Sequence, residues 1–395
     1  MPPSRRLLLA GLWLLGSLCS ARAAPGGSGR RVTLHYNPGS NSSSVNLLHV
    51  RAVGQNDTLH YVWSSIGAPT VLLLYTRSES STLHVNWTKL LSAAPAGAIW
   101  IEPAGSVVYS TAVIFTKVFE YSRANASAQE EQFYPTYDLA ALSWRSLNGT
   151  LNHTALTAKF QGVGAFPNGT ISFQVTAYEQ SGRDSSLPRL LHTANSSKVE
   201  FIMEKVAPRS NSSRFMLEVV TVEETGGRKR LQSVRSIDDE YTPAIFEMAQ
   251  LVSEPRNDTT SSSFFQWKTA AYGDKVASRE NAIHCHYHSL QMASWRLLGP
   301  SIAHAYFGAG LGHGESLAAI NITFGGEDGK FYAEKNYLSW SALLGFGTPP
   351  EDSFSPLVIT IMAVALGTPV VLLLVGGLVV LLARRKRYSE YEPIN

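Results

Sequence analysis

The stretch that decides the fold is residues 59–75, which read LHYVWSSIGAPTVLLLY. Two runs rich in aromatic and aliphatic side chains, 59–63 and 71–75, flank the turn-forming triplet at 67–69. Aromatic and β-branched side chains pack well on a pleated surface, whereas glycine and proline interrupt regular structure. This stretch therefore predicts two strands separated by a turn.

The same pattern recurs along the chain. Further strand-like runs lie at 98–101, 107–109, 171–175 and 215–222, and turn clusters lie at 37–40, 166–169 and 225–227. Only residues 244–252 suggest a short helix. Many short strands with regular turns predict an all-β ectodomain of β-sandwich type. Its length suggests two lobes, 24–190 and 191–345, which meet in the polar stretch 181–197, followed by a juxtamembrane linker at 346–356.

The N-terminus has the pattern of a secretory signal peptide. Arg5 and Arg6 precede an apolar run at 7–18, and Ala21 and Ala23 supply small residues for cleavage. A run this short does not span a bilayer. We therefore expect residues 1–23 to be a signal peptide.

A second apolar segment lies near the C-terminus. Residues 357–383 carry no charge, and four basic residues follow at 384–387. A helix of this length crosses a bilayer core of about 30 Å, and basic residues remain on the cytosolic side. The segment therefore predicts a type I transmembrane helix with a lumenal ectodomain and a cytosolic tail at 384–395. Pro369 predicts a kink within the span.

The ectodomain is close to neutral. Of 33 basic residues, seven lie in the signal peptide or the juxtamembrane cluster, and of 30 acidic residues, two lie in the tail, which leaves 26 basic and 28 acidic side chains. Nucleic-acid binding therefore has no support. All 11 histidines are lumenal, so we expect most of them to become charged in an acidic compartment.

Only two cysteines occur, and Cys19 leaves with the signal peptide. The mature ectodomain then keeps Cys285 alone and has no internal disulfide, which is unusual outside the cytosol. Cys285 is either a buried thiol or half of an intermolecular bridge, and we favour the buried thiol.

The ectodomain is dense in N-glycosylation sequons, Asn-X-Ser/Thr with no proline in the middle position. A glycan needs a surface position and shields nearby backbone from proteases. A coat of this density therefore indicates a degradative environment. The eleven candidate acceptors are Asn41, Asn56, Asn86, Asn125, Asn148, Asn152, Asn168, Asn195, Asn211, Asn257 and Asn321.

The sharpest candidate for chemistry is the run His284-Cys285-His286-Tyr287-His288. On a strand its three imidazoles share one face and could bind zinc or copper. Strand neighbours at i and i+2 lie about 6–7 Å apart, too far to chelate easily. We therefore interpret the run as structural and predict no metal and no cofactor.

Three other motifs invite functional readings that we set aside. The glycine-rich stretch 308–314 departs from nucleotide-binding patterns and indicates a loop. The acidic triplet 238–240 could hold calcium, but a solvated turn is the default. The basic triplet 228–230 could be a processing site, but an exposed hairpin tip is favoured.

No common catalytic motif occurs in the sequence, so we expect that the protein is not an enzyme.

The tail ends in Tyr391-Glu392-Pro393-Ile394, a tyrosine followed at the third place by a bulky aliphatic residue. Clathrin adaptors bind such peptides as an added strand, with one pocket for the tyrosine and one for the aliphatic side chain. Pro393 favours an extended Glu392, which matches that shape. The motif predicts lysosomal sorting through a clathrin adaptor.

The whole chain resembles the glycosylated lysosomal membrane protein family. The resemblance rests on residues 59–65, LHYVWSS, on 336–341, NYLSWS, running on to Pro349 and Pro350, and on the terminal YEPIN at 391–395. It implies an accessory subunit that binds a lysosomal major facilitator superfamily transporter, one associated with dipeptide export, and protects it from lumenal proteolysis. A membrane-tethered lumenal enzyme and a passive glycocalyx component remain the alternatives.

Overall fold

A computed structural model describes residues 29–123, 131–164, 166, 168–223, 228–237, 245–254, 263–293, 300–308, 316–326, 329–352, 354 and 356–389. The predicted signal peptide at 1–23, the sequons at Asn125 and Asn257 and the sorting motif at 391–394 lie outside these residues.

Strands dominate the described part of the chain before residue 347. They are β1 Arg31–Tyr36, β2 Leu47–Val53, β3 Thr58–Ser64, β4 Thr70–Thr76, β5 Thr82–Val85, β6 Ile99–Glu102, β7 Val107–Arg123, β8 Glu131–Phe133, β9 Tyr137–Asp138, β10 Ser143–Trp144, β11 Thr157–Val163, β12 Thr170–Ala177, β13 Gly182–Arg183, β14 Leu191–His192, β15 Ser196–Glu204, β16 Arg214–Glu223, β17 Arg228–Ile237, β18 Ile245–Glu254, β19 Ser263–Lys268, β20 Ala270–Tyr272, β21 Ala282–His284, β22 His286–Tyr287, β23 Gln291–Met292, β24 Ser316–Phe324 and β25 Tyr337–Phe346. The helices are α1 Trp87–Leu90, α2 Ile302–Phe307, α3 Phe331–Lys335 and α4 Pro356–Ser389.

These strands form two large sheets. Sheet 1 has the order β1-β2-β3-β4-β7-β16-β24-β22, with β8 and β9 paired to β7 and β23 paired to β24. Sheet 2 has the order β10-β11-β12-β15-β25-β19-β18-β17, with β20 paired to β21 and β25. Neighbouring strands run antiparallel, as in the β3–β4 pair, where Tyr61 lies opposite Leu73. The predicted all-β class is confirmed.

The two sheets pack face to face through one apolar core. Phe115 on β7 of sheet 1 lies against Phe173 on β12 of sheet 2, with ring centroids 4.7 Å apart. Phe324 on β24 meets Phe201 on β15 at 5.9 Å and the buried Trp340 on β25 at 6.0 Å. Side chains from two inner faces that interdigitate in this way define a sandwich. The core therefore confirms the predicted β-sandwich architecture.

The outer face of sheet 1 is also covered. Leu72 and Ile114 from the sheet join Leu90 of α1, Ile99 of β6 and Ile302 of α2 in a second apolar cluster. Because this region of sheet 1 is buried on both faces, β3 and β4 read as nearly continuous apolar runs rather than as an alternation.

The turn between β3 and β4 requires a glycine. Gly67 has φ +72°, and a Cβ at this position would overlap the carbonyl oxygen of Pro300. The next residue, Ala68, donates its N–H to that same oxygen at 2.8 Å. The predicted turn at 67–69 is confirmed, and it holds the segment that leads into α2 against sheet 1.

The predicted division into two lobes at 190/191 does not match the sheet topology. In sheet 1, β7 pairs with β16, and in sheet 2, β12 pairs with β15, so each sheet joins strands from both sides of residue 190. The described residues of 26–236 and 246–351 form one compact unit. The polar stretch that suggested a boundary contains the small β13–β14 pair.

The helix predicted at 244–252 is wrong, because residues 245–254 form β18. Ala249 and Leu251 point into the inter-sheet core, while Met248 and Val252 join an apolar cluster on the other face of sheet 2. Apolar residues in this segment fit both a helical and a strand period. Pairing with β19 decides between them.

The C-terminal helix α4 is described by itself. Residues 356–385 are long and apolar enough to cross a membrane and contain an 18-residue stretch with a mean hydropathy of 2.6, in agreement with the span predicted at 357–383. Pro369 lies inside the helix, and just before it Thr368 donates its hydroxyl to the carbonyl of Val364 at 2.6 Å. Strand β25 ends at Phe346 and α4 begins at Pro356, which are the two bounds of the predicted linker.

Candidate functional site

The candidate site that contains the histidine run is a cleft of about 520 Å³ beside β24. All three histidines of the His284–His288 run line it, together with residues brought in from distant strands. The described lining consists of Tyr121, Glu131, Phe133, Arg214, Met216, His284, His286, His288, Gln291, Asn321, Thr323, Phe324, Gly325 and Gly326. The sequence predicted the shared face of the three imidazoles but none of their neighbours.

The histidine run is a crossing between the sheets rather than one strand. His284 ends β21, which pairs with β20 in sheet 2, while His286 begins β22, which pairs with β24 in sheet 1. Cys285 lies at the crossing point and is fully buried. The imidazoles of His284 and His286 are therefore exposed and the thiol between them is buried, although the chain passes from sheet 2 to sheet 1 at this point.

One carboxylate modifies the electrostatics at this end of the cleft. Glu247 lies 3.8 Å from His284 Nε2 and accepts a hydrogen bond from the Tyr287 hydroxyl at 2.9 Å. Burial lowers the pKa of His284 and neighbouring His286 lowers it further, while Glu247 opposes both effects. Within the described ranges, no group of three potential metal ligands converges on one point.

Cys285 is the buried thiol that the sequence favoured. Its side chain is inaccessible, and burial raises the pKa of the thiol. Its Sγ lies 3.9 Å from the carbonyl oxygen of Lys268. An intermolecular disulfide would need this atom at the surface, so the structure rules out that alternative in the folded state.

The structure describes nine of the eleven sequon asparagines, and it separates them by exposure. Seven are exposed: Asn41, Asn56, Asn86, Asn148, Asn152, Asn168 and Asn211. The remaining two, Asn195 and Asn321, are half-buried. Exposure is what a glycan requires, and glycan occupancy itself stays a prediction.

Two sequons are held by their own structure. Asn86 caps α1, because its Oδ1 accepts the backbone N–H of Lys89 at 3.0 Å. Asn195 receives a 2.6 Å hydrogen bond from Arg30 Nε on its Oδ1, and the same arginine forms an ion pair with Asp57. In both residues the oxygen is engaged, so the amide nitrogen that would carry the sugar is set in a defined direction.

A buried histidine pair escaped sequence analysis. His49 on β2 and His60 on β3 are 4% and 0% exposed, and their ring nitrogens Nε2 and Nδ1 lie 2.9 Å apart. His60 Nε2 continues the chain to the Ser81 hydroxyl at 2.8 Å. Burial lowers the pKa of His60 to about 3 and that of His49 well below its usual value. The expectation that most histidines charge in acid therefore fails for this pair.

A buried carboxylate was also missed. Glu120 on β7 is fully buried and accepts hydrogen bonds from the hydroxyls of Ser213 and Tyr137, at 2.7 and 2.9 Å. Arg209 adds a 3.1 Å ion pair and stacks its guanidinium over the Tyr137 ring. A paired and fully hydrogen-bonded charge of this kind is structural. It holds the loop that carries Asn211 against sheet 1.

The structure adds little to the interpretation of the other sequence motifs. Arg228 and Arg230 are exposed, but they begin β17 in sheet 2, whereas the preceding β16 belongs to sheet 1, so the predicted hairpin tip is wrong. The acidic triplet 238–240 and most of the glycine-rich stretch, 309–314, lie outside the described residues.

Comparison with known proteins adds the compartment. The family model described as glycosylated lysosomal membrane protein matches residues 46–387. The chain belongs to this family. Glycosylated lysosomal membrane protein A of Xenopus laevis is 54% identical across 99% of this chain and 98% of its own length. The relatives of the same family name from Mus musculus and Homo sapiens are 43% and 41% identical, each across 97% of this chain and 96% and 95% of their own lengths.

Membership of the glycosylated lysosomal membrane protein family agrees with both parts of the structure described above, the ectodomain and the C-terminal helix. In the part of the chain that the structure describes, a strand-built ectodomain with exposed sequons precedes one helix, at 356–385, that is long and apolar enough to cross a membrane. The protein is therefore a single-pass glycoprotein of the lysosomal membrane, as the sequence predicted.

Proposed function

We propose that this protein is an accessory subunit that binds a lysosomal major facilitator superfamily transporter, one that carries dipeptides, and shields it from lumenal proteases. The observation that carries the proposal is the distribution of the sequons. Seven described acceptors are exposed, and they lie in different loops and turns of one sandwich rather than in one cluster. Glycans on these positions would cover several sides of the ectodomain and place bulky polymer between a protease and any protein beneath.

The span supports a helix partner in the membrane. Apart from the neighbouring backbone of α4 itself, a Cβ added at Gly367, Gly376 or Gly377 would meet nothing within 4 Å, so each glycine leaves an open groove on the helix surface. Small residues allow another transmembrane helix to approach closely, and Ala363 extends the Gly367 groove by one turn. The grooves fit a multi-span partner better than they fit a passive anchor.

The grooves at Gly367 and Gly376 allow a matched control experiment, because a substitution in one can be compared with the same substitution in the other. At about 100° per residue, Gly367 and Gly376 point to opposite sides of the helix. A leucine at either position would begin from a Cβ in open space and would occupy the groove. A partner helix that packs on one side is therefore displaced by only one of the two substitutions.

The test is purification of the full-length protein in mild detergent, followed by quantitative mass spectrometry. We expect a multi-span transporter in stoichiometric amount with the unaltered protein. We expect Gly367→Leu to reduce it severalfold and Gly376→Leu to leave it unchanged, because Ala363 and Gly367 form the longer groove. Absence of any stoichiometric multi-span partner from the unaltered protein would contradict the accessory role.

We further propose that the tail motif at 391–394 delivers the protein to lysosomes through a clathrin adaptor. Substitution Tyr391→Ala removes the side chain that fills the adaptor's tyrosine pocket. We expect this variant to accumulate at the plasma membrane, measured by surface biotinylation and microscopy.

Tyr388→Ala is the matched control for this experiment. Tyr388 has the same side chain in the same tail, but Tyr391 occupies the place where the motif needs an aliphatic residue. This control should remain lysosomal. Equal surface levels of the two variants would show that Tyr391 is not the sorting determinant.

A further inference from the structure

One sequon differs from the others in its position. Asn321 lies in the middle of β24, whereas the other described acceptors lie outside the strands of the two large sheets. Its backbone is fixed on both sides, since Glu218 of β16 is its register partner and His288 N–H donates to its carbonyl oxygen at 2.9 Å. A sugar on Asn321 would therefore start from a rigid sheet and not from a loop.

The side chain of Asn321 lies in the histidine-lined cleft. Ile320 and Ile322 point into the inter-sheet core, so Asn321 and Thr323 point to the other face of sheet 1. Both line the cleft of about 520 Å³. This volume falls within the range of about 300–1,000 Å³ typical of small-molecule sites, which is enough for the first sugars of an N-glycan.

The side chain of Asn321 also has an unsatisfied hydrogen-bond acceptor. Its Oδ1 is buried and has no hydrogen-bond partner within the described part of the chain. Buried polar atoms without partners are rare, because an unmade hydrogen bond destabilises the fold. The described protein atoms therefore leave the hydrogen bonding of this side chain incomplete.

The lining of the cleft fits a carbohydrate. Tyr121 and Phe133 stack with ring centroids 5.4 Å apart, and Phe133 is 54% exposed, so an aromatic face is presented to the cleft. His286, His288 and Gln291 line it with side chains that exchange hydrogen bonds with hydroxyl groups. Apolar ring faces together with a few placed polar groups are what a sugar-binding site needs.

We propose that the first N-acetylglucosamine residues of a glycan on Asn321 lie inside this cleft, against Phe133 and Gln291, and do not extend freely into the lumen. The glycan then forms part of the fold. It covers the side of sheet 1 where β22 and β23 are only two residues long. Enzymes that trim or remove glycans reach it poorly.

The experiment is site-resolved glycopeptide mass spectrometry on the full-length protein in detergent, with and without native peptide-N-glycosidase digestion. We expect Asn321 to be occupied, to keep oligomannose chains, and to be released at least tenfold more slowly than Asn152. Asn152 is the internal control, because it is exposed and lies outside the cleft. After denaturation the two sites should be released equally.

Substitutions in the lining test the contacts. Phe133→Ala and Gln291→Ala change exposed side chains and should raise the native release rate at Asn321 without changing that at Asn152. Thr323→Ser keeps the sequon and should behave as the unaltered protein. An unoccupied Asn321, or equal native release from Asn321 and Asn152, would overturn the proposal even if every variant folds.

Discussion

At the residue scale, burial favours neutral rings in the histidine pair, because it lowers the pKa of both His49 and His60. If His49 donates its Nε2–H to His60 Nδ1, then His60 can donate its Nε2–H to the Ser81 hydroxyl, and each nitrogen in the chain has one role. In this tautomer, a second proton on His60 Nδ1 would face the Nε2–H of His49. Burial and geometry therefore act in the same direction, and the folded protein resists protonation at this pair.

This resistance predicts that acid destabilises the fold through His60. The folded pKa of about 3 lies below the usual 6.5, so the unfolded chain takes up a proton first as the pH falls. The contribution is fully present above pH 6.5 and weakens below it, by about 2 kcal/mol at pH 5. We expect the melting temperature of the protein to fall between pH 7 and pH 5, measured by differential scanning fluorimetry.

Substitution separates this effect from other titrating groups. His60→Gln should lower the melting temperature at pH 7, because buried hydrogen bonds are lost, and should reduce the difference between pH 7 and pH 5. His153→Gln is the control, since His153 is exposed. The idea is wrong if His60→Gln and His153→Gln show the same pH dependence as the unaltered protein.

At the scale of the elements, local sequence patterns predicted strands correctly where a single hydrophobic period dominated the segment. Strands β3, β4, β12 and β16 appear where aromatic and β-branched runs predicted them. It failed at β18, where helical and strand periods both fit and pairing with β19 settles the outcome. The His284–His288 run shows a third case, because its alternation of side chains was readable but its change from sheet 2 to sheet 1 was not.

At the scale of the whole molecule, each large sheet joins strands from both halves of the ectodomain. Because β7 pairs with β16 and β12 pairs with β15, both sheets continue without a break across residue 190. The result is one sandwich with sequons on many of its loops. This arrangement suits the proposed shield, since one sandwich carries all nine of the described sequons.

The shielding role predicts what happens to the transporter when this protein is missing. We expect the transporter's half-life to shorten severalfold in cells that lack this protein and to recover when lysosomal proteases are inhibited, measured by pulse-chase. Re-expression of the unaltered protein should restore the half-life. Re-expression of the Gly367→Leu variant, which should not bind, should fail to do so.

The passive glycocalyx alternative makes the opposite prediction. A component that only contributes to the general coat has no specific client, so its loss would leave the transporter's half-life unchanged. An unchanged half-life, together with normal transporter levels, would therefore contradict shielding and favour that alternative.

The sequence by itself determined the strand-rich class, the apolar span at 357–383 and the family, and it favoured the buried thiol at Cys285. These features depend on local composition, on the two-residue alternation typical of strands and on long apolar runs. All three can be recognised from residues that are neighbours in the sequence. Only the tertiary structure decided that the ectodomain is one sandwich, that β18 is a strand, and that His49 meets His60. It also placed Asn321 in the cleft with Phe133 and the histidines. Antiparallel pairing and sheet packing join residues distant in sequence, and their partners are chosen by register and buried area that no local pattern encodes.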